Sequence, residues 1–131
     1  MNDFQPTDAE LEILQILWDE PASTIRKVHE RINEQRDTEQ QVGYTTISKQ
    51  IERMTDKEVL QREKVGSKYL YTAIPQEEAI QQKLSDRLLR KAYKGSAVKL
   101  AMHALGQSKT TAEELEALQT WLNQQKNKEN D

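Results

Sequence analysis

The fold is decided by residues 44–74, which read YTTISKQIERMTDKEVLQREKVGSKYLYTAI. The first half of this stretch has apolar residues at helical spacing, which predicts an amphipathic helix from Tyr44 to about Glu58. The period then changes, and two β-prone runs at 59–65 and 68–74 flank a turn that begins with Gly66. This second pattern predicts a β-hairpin directly after the helix. The apolar face of the predicted helix is formed by Ile47, Ile51 and Met54.

Two further helices are predicted before this stretch. Thr7 and Glu10 have the spacing of a capping box, which indicates the start of a helix that Pro21 ends. A second helix is predicted from Thr24 to about Gln35 and is followed by a polar loop. Three helices followed by a hairpin are typical of a winged helix-turn-helix. We therefore predict a mainly α protein with a winged-helix DNA-binding domain at residues 1–74.

Residues 75–131 return to helical periodicity. The pattern predicts helices at 76–94 and 96–105 and a third helix that ends near Gln125, before a frayed polar tail. These helices have few apolar residues with which to build a core, so we expect a helical dimerisation region that buries its apolar faces in a homodimer. A helical cap folded back on the winged helix is the alternative. The predicted interface residues are Leu84, Leu88, Val98, Leu100, Met102, Leu115, Leu118, Trp121 and Leu122.

Composition excludes several classes of protein. The chain has 131 residues, of which 35% are hydrophobic and 31% charged, and it contains no cysteine. Disulfides and thiolate metal sites are therefore excluded. No apolar run approaches the length of a membrane span, and the N-terminal residues lack the pattern of a signal peptide. We expect a cytoplasmic protein that does not insert into a membrane.

No combination of residues suggests catalysis. His29 and Glu30 resemble the start of a zinc-protease motif, but position 33 is Asn where that motif needs a second His. His29 falls on the apolar side of its helix and is interpreted as a packed or hydrogen-bonded core residue. His103 has no second histidine near it in the sequence. We therefore predict no catalytic residue, no metal site and no cofactor.

The helix at 44–58 carries the residue types that read DNA. Its polar face can donate hydrogen bonds to base edges in a major groove. Because Glu52 and Asp56 would repel phosphate, we expect base reading by the first half of the helix. The predicted recognition residues are Tyr44, Thr45, Thr46, Ser48, Lys49 and Arg53. The predicted contacts with the DNA backbone are Arg62, Lys64 and Lys68 in the hairpin and Arg26 and Lys27 in the second helix.

A second interpretation of the same residues stays open. Lys49 with Glu52, and Arg53 with Asp56, lie three residues apart and have the spacing of ordinary surface ion pairs. On that interpretation the chain is a winged-helix-like adaptor that binds proteins and does not bind DNA.

Three segments resemble those of the penicillinase repressor (BlaI/MecI-like) family of winged-helix transcriptional regulators. Residues 7–18 are similar to the entry helix of the family, Ser/Thr-x-Ala-Glu-x-Glu followed by apolar residues and Trp. Residues 44–54 resemble its recognition helix. Residues 92–95, the apolar helix after them and residues 114–118 resemble its dimerisation half. In order and spacing the resemblance covers residues 7–125.

The resemblance implies a homodimeric repressor in which each subunit reads one half of a palindromic operator in double-stranded DNA. It also implies that Thr46, Ser48, Lys49 and Arg53 face the groove or contact phosphate. The usual Ser-Pro-x-Thr entry of the recognition helix is Gly43-Tyr-Thr-Thr46 here, so operator preference is expected to differ.

The resemblance further implies a route of release. In the best-known members, a membrane sensor with a metallopeptidase domain triggers cleavage of the repressor, typically at an Asn-Phe bond. Alignment through Tyr93-Lys-Gly95 places this bond at His103-Ala104, and whether cleavage occurs at this different residue pair stays open. The copper-responsive members use a C-terminal cysteine motif, which a chain without cysteine excludes.

Overall fold

The computed structural model describes residues 4–107 and 109–129. The described residues divide into two compact units, one that ends at Asp86 and one that begins at Arg87. The elements in chain order are α1 (Asp8–Asp19), α2 (Ile25–Glu34), a short 3-10 helix (Thr38–Gln40), α3 (Tyr44–Asp56), β1 (Leu60–Val65), β2 (Lys68–Ala73), α4 (Glu77–Ala92), α5 (Ala97–Gln107) and α6 (Ala112–Glu129).

This order confirms the predicted class, which is a mainly α chain with a winged helix-turn-helix followed by three more helices. In the first unit, α1, α2 and α3 pack around one apolar core that the base of the hairpin closes. The buried residues of this core are Ile13, Leu14, Ile16, Leu17, Val28, Ile32, Ile47, Ile51, Met54, Val59, Leu60 and Tyr71.

Helix α1 is fixed at both ends. The Thr7 side chain accepts a hydrogen bond from the Glu10 backbone, and the Glu10 side chain accepts one from the Thr7 backbone, so the predicted capping box is confirmed. At the other end, the Trp18 indole donates to the Pro75 carbonyl at 2.9 Å. Helix α1 is therefore tied to the residues that follow the hairpin.

The hairpin is antiparallel, with Leu60 opposite Ala73 and Val65 opposite Lys68. Its two-residue turn begins with Gly66, whose φ of 63° is rare for residues with a Cβ atom. Tyr71 also exchanges two backbone hydrogen bonds with Ser23, at 3.1 and 2.8 Å. These bonds attach the hairpin to the segment between α1 and α2.

Two predicted helix ends are corrected by the structure. Helix α3 ends at Asp56 instead of Glu58, because Glu58 takes a φ of 63° and the Val59 N–H bonds back to the Met54 carbonyl. Helix α6 continues past the predicted end at Gln125 to Glu129. This last turn has no Gly or Pro to stop it, and it carries Lys126 and Lys128, which favour a helix C-terminus.

The first unit extends into α4. Ile80, in the first turns of α4, is buried and lines a pocket together with Val59 and Ile74. The first unit therefore includes the first part of this helix, up to Asp86.

The second unit is built differently, because its two complete helices, α5 and α6, contain no buried residue in the described part of the chain. Helix α6 begins with a second capping box, in which Thr111 and Glu114 exchange hydrogen bonds at 3.1 and 3.2 Å. Across the described residues, no helix has the length and apolar character needed to cross a membrane.

Candidate nucleic-acid interface

Helix α3 presents a polar face to solvent because its apolar face is fully used by the core. Ile47, Ile51 and Met54 are 6%, 0% and 0% exposed. The residues between them therefore face outward at 100° per residue. Of the predicted recognition residues, Ser48 is half-buried, and the exposed ones are Tyr44, Thr45, Thr46, Lys49 and Arg53.

The first turn of α3 has no side-chain cap. Gly43 occupies the cap position, and in the described part of the chain no side chain accepts from the first N–H groups of the helix. In α2, by contrast, the Thr24 side chain accepts from the Lys27 N–H at 3.1 Å. Unpaired N–H groups and the helix dipole together attract anions. The start of α3 is therefore suited to an approaching phosphate.

Three of the predicted contact residues, taken from three separate elements, line one cleft. Arg26 comes from α2, Tyr44 from α3 and Lys68 from β2. The cleft has a volume of about 280 Å³. Its other lining residues are Thr24, Ile25, Tyr69 and Tyr71. The fold thus brings together side chains that are up to 42 positions apart in the sequence, at the uncapped end of α3.

The inner face of the hairpin carries two further cations. Side chains alternate along a strand, so Arg62 and Lys64 share the face on which buried Tyr71 lies. The Arg62 guanidinium carbon lies 4.5 Å from the centre of the Tyr69 ring, and the Lys64 nitrogen lies 5.9 Å from it. A tyrosine face at these distances attracts and orients cations.

Arg62 also interacts with Tyr71. A hydrogen bond with the Tyr71 side chain is the largest cause that raises the pKa of Arg62 above its usual value. The sequence did not single out Tyr69, although its position opposite Lys64 in a two-residue hairpin could have identified it. We therefore add Tyr69 to the candidate interface as the residue that orients Arg62 and Lys64, the two cations of the hairpin.

The two predicted DNA contacts of α2, Arg26 and Lys27, differ in their partners. The Lys27 side-chain nitrogen lies 3.0 Å from the Glu20 carboxylate. An Arg31 guanidinium nitrogen lies 2.6 Å from the same carboxylate. Hydrogen bonds from Arg31 and Lys27 lower the pKa of Glu20 to about 2. Among the residues that the structure describes, Arg26 pairs only with exposed Glu30 on its own helix, at 3.4 Å. Lys27 therefore helps to join α1 to α2, and Arg26 is the freer of the two.

Ion pairs on α3 would have favoured the adaptor interpretation. In the part of the chain that the structure describes, neither Lys49 nor Arg53 has a carboxylate oxygen within 4 Å of its side-chain nitrogens. Both cations therefore remain available to an external anion. Glu52 and Asp56 are exposed on the same helix, so the first half of α3 carries the face with least negative charge.

The predicted dimer residues lie on exposed or half-buried helix faces. Leu84 is half-buried in α4 within the first unit, and the others belong to the second unit. Val98 and Met102, one helical turn apart on α5, are 70% and 66% exposed, and Trp121 on α6 is 53% exposed. Of the predicted dimer residues in the second unit, Leu100 and Leu118 are half-buried, and Leu88, Leu115 and Leu122 are exposed.

The residues at the aligned cleavage position lie on the surface of α5. His103 and Ala104 are both exposed. His103 Nδ1 lies 3.1 Å from the Tyr93 hydroxyl, and the two rings meet edge to face.

Comparison with known proteins extends over nearly the whole chain. The sequence model of the penicillinase repressor family matches residues 6–124. The methicillin resistance regulatory protein MecI of Mammaliicoccus sciuri is 27% identical over 120 residues, which cover 92% of this chain and 94% of that protein. MecI of Staphylococcus aureus (strain N315) is 26% identical over the same length and coverage. A solution structure of the DNA-binding domain of the repressor BlaI matches with 24% identity and a TM-score of 0.48, over 57% of this chain and 87% of that one.

Proposed function

The chain belongs to the penicillinase repressor family, and on that premise we propose that it binds palindromic operators as a homodimer and is released by a signal-dependent event. As a member, it is a DNA-binding transcriptional repressor and not an enzyme. One observation carries the proposal for how it holds DNA. Arg26, Tyr44 and Lys68, from α2, α3 and β2, converge on one cleft at the uncapped start of α3.

The exposed side chains divide into base-reading and backbone-holding groups. Thr45, Thr46 and Lys49 lie on the outward face of α3 and are short enough, or flexible enough, to reach base edges in a major groove. Arg26 and Lys68 border the cleft, where a sugar-phosphate strand brings negative charge. Backbone contacts of this kind supply affinity that depends on salt and not on sequence.

The β1–β2 hairpin is the wing of the winged helix, and it adds a second pair of contacts with the DNA backbone. Arg62 and Lys64 are held against Tyr69, so the freedom that they lose on meeting a phosphate is already reduced. This preorganisation favours a fixed position of the wing along the DNA backbone.

The exposed apolar faces of α5 and α6 support the proposed homodimer. Each leucine-sized side chain contributes roughly 1.5–3 kcal/mol when it is fully buried. Val98, Met102 and Trp121 are each more than half exposed, so most of this free energy is not yet gained in one copy. A two-fold pair of copies would bury the same faces of both chains and would match a palindrome whose half-sites lie about 34–36 Å apart.

Release is proposed to act on the second unit. In one copy, His103 and Ala104 are both exposed on α5, so we propose their bond as the position at which a peptidase controlled by a membrane sensor would cut. Any event that separates the two copies would leave each with a single half-site. We place the protein in the cytoplasm because its DNA target is there.

A salt series on DNA fragments selected from the source genome tests the proposed function. We expect retention of discrete fragments, with affinity that falls steeply between about 50 and 200 mM salt because several phosphates are neutralised. The absence of a mobility shift at any salt concentration would support the adaptor interpretation instead.

A further inference from the structure

We infer that Asn33 and His29 of α2 are positioning residues that set where the base-reading start of α3 lies, by holding the backbone of Val42. The inference rests on the proposed function, since it concerns the discrimination between DNA sequences. Neither residue is placed to touch DNA through the cleft described above, which they do not line.

Asn33 satisfies both backbone groups of one residue. Its Oδ1 accepts a hydrogen bond from the Val42 N–H at 2.9 Å, and its Nδ2 donates to the Val42 carbonyl at 2.9 Å. A side-chain amide that pairs with a backbone amide in this way fixes both the position and the direction of the chain. The chain enters α3 two residues later, at Tyr44.

His29 acts on the same point from one helical turn earlier. Its Nε2 lies 2.8 Å from the Val42 carbonyl oxygen and 2.9 Å from the Asn33 amide nitrogen. With the ring proton on Nε2 it donates to the Val42 carbonyl, and with the proton on Nδ1 it accepts from the Asn33 amide that holds Val42. The His29 ring also meets the Tyr44 ring edge to face, with centroids 5.6 Å apart and planes at 83°. His29 therefore links α2 both to the entry of α3 and to an aromatic residue of the interface.

Among the described residues, the segment before α3 has few other attachments to the fold, one of which is the packing of the half-buried Val42 side chain against the core. Most of residues 35–43 are exposed, and the 3-10 helix within it has no buried residue. Arg36 holds the middle of the segment, through a bond to the Gln40 carbonyl at 3.3 Å and an ion pair with Glu12 at 2.6 Å. Gly43 gives α3 no side-chain cap. The bonds of Asn33 and His29 to Val42 are thus the described side-chain bonds that hold the end of the segment.

A small displacement at this point matters more for base reading than for backbone contact. Hydrogen bonds to base edges need donors placed to within a few tenths of an ångström, whereas attraction to phosphate falls slowly with distance. Loss of the Asn33 bonds should therefore reduce discrimination between sequences and leave most of the affinity for any duplex.

The test uses the full chain with two variants and one control. Asn33→Ala removes both bonds to Val42, and His29→Phe removes the Nε2 donor while it keeps an aromatic ring against Tyr44. Asn123→Ala, at an exposed position of α6, makes the same change in helix propensity and serves as the control. Affinity is measured for an operator selected by the wild-type protein and for random duplex of equal length, together with the salt slope and the thermal midpoint.

We expect Asn33→Ala to lose roughly tenfold in operator affinity, within the range for one good base contact, with random-duplex affinity and salt slope nearly unchanged. His29→Phe should show a smaller loss of the same kind, and Asn123→Ala none. An unchanged operator affinity in Asn33→Ala would overturn the inference. An equal loss on both duplexes with a lowered thermal midpoint would also overturn it, because Asn33 would then be merely structural.

The outcome for the wild-type chain separates this inference from the proposed function. A wild-type protein that discriminates between no duplexes contradicts the proposed function, and the inference falls with it. If the wild-type protein and Asn33→Ala discriminate equally well between operator and random duplex, the inference is contradicted and the proposed function is not.

Discussion

At the scale of residues, we expect some cations to contact bases and others to contact the DNA backbone. Lys49 is exposed on the outward face of α3 and has no carboxylate within 4 Å in the described chain. Lys68 lies at the cleft beside the hairpin turn. Both side chains are lysines, but one lies on α3 and the other on β2. We therefore expect their replacement to have two different effects on DNA binding.

Replacement of each lysine tests this separation. Lys49→Ala should reduce discrimination between operator and random DNA by about 1–3 kcal/mol, because a base contact is lost. Lys68→Ala should weaken all sequences about equally and reduce the salt slope by about 1, because one phosphate contact is lost. Fluorescence anisotropy at several salt concentrations measures both effects, with Lys126→Ala on α6 as the control. If Lys49→Ala and Lys68→Ala behave alike, the assignment of roles is wrong.

At the scale of elements, the sequence predicted the six α-helices and the two strands of the described chain, because apolar spacing and capping residues are local signals. It did not predict the short 3-10 helix at Thr38–Gln40, which lies in the stretch expected to be a polar loop. It placed the end of α3 two residues late, since the reversal at Glu58 depends on a bond between Val59 and Met54 that closes only in the folded chain. Asn33 was missed for the same reason, because its proposed role depends on a loop nine residues away. Tyr69 was also missed, although the register of the two-residue hairpin places it opposite Lys64.

The ion pairs of Glu20 predict how acid affects the link between α1 and α2. Arg31 and Lys27 lower the pKa of Glu20 from 4.5 to about 2. A carboxyl group with a lowered pKa stabilises the folded state above its ordinary pKa and loses this effect as pH falls through the folded value. The free energy of unfolding should therefore decline between about pH 4.5 and 2.

Glu20→Gln should show a shallower decline over the same pH range, because its amide does not titrate. Urea unfolding at a series of pH values measures this difference. Other carboxyl groups contribute in both proteins. Among them is buried Glu10, where burial is outweighed by bonds from the Thr7 backbone and Lys57, so that the pKa of Glu10 is also lowered. Identical pH profiles for Glu20→Gln and the wild type would show that the Glu20 pairs do not contribute to stability.

At the scale of the whole molecule, the two units have different relations to solvent. The first unit completes its own core, with nine large side chains less than 2% exposed. In the second unit, α5 and α6 leave their apolar faces open. A single copy therefore explains the stability of the first unit but does not explain the composition of the second. The proposed homodimer supplies the missing burial.

Val98→Asp tests the homodimer. Val98 is 70% exposed, so a carboxylate there is tolerated in one copy, whereas an unpaired charge between two copies costs several kcal/mol. We expect the wild-type chain to sediment as a dimer and Val98→Asp to shift to monomer at micromolar concentration. Thr120→Asp, at an exposed polar position of α6 that faces away from Leu115, Leu118 and Leu122, should remain dimeric. A wild-type chain that is monomeric, or a variant of unchanged mass, would contradict the proposed interface.

Hydroxyl-radical footprinting of the full chain on its selected operator tests the central claim most directly, that α3 and the wing of each copy grip one half-site. We expect two protected patches of equal size that are related by the operator dyad. Their centres should lie about 10 base pairs apart, or a multiple of this distance. A single patch, or protection that does not move with the half-site sequence, would contradict it.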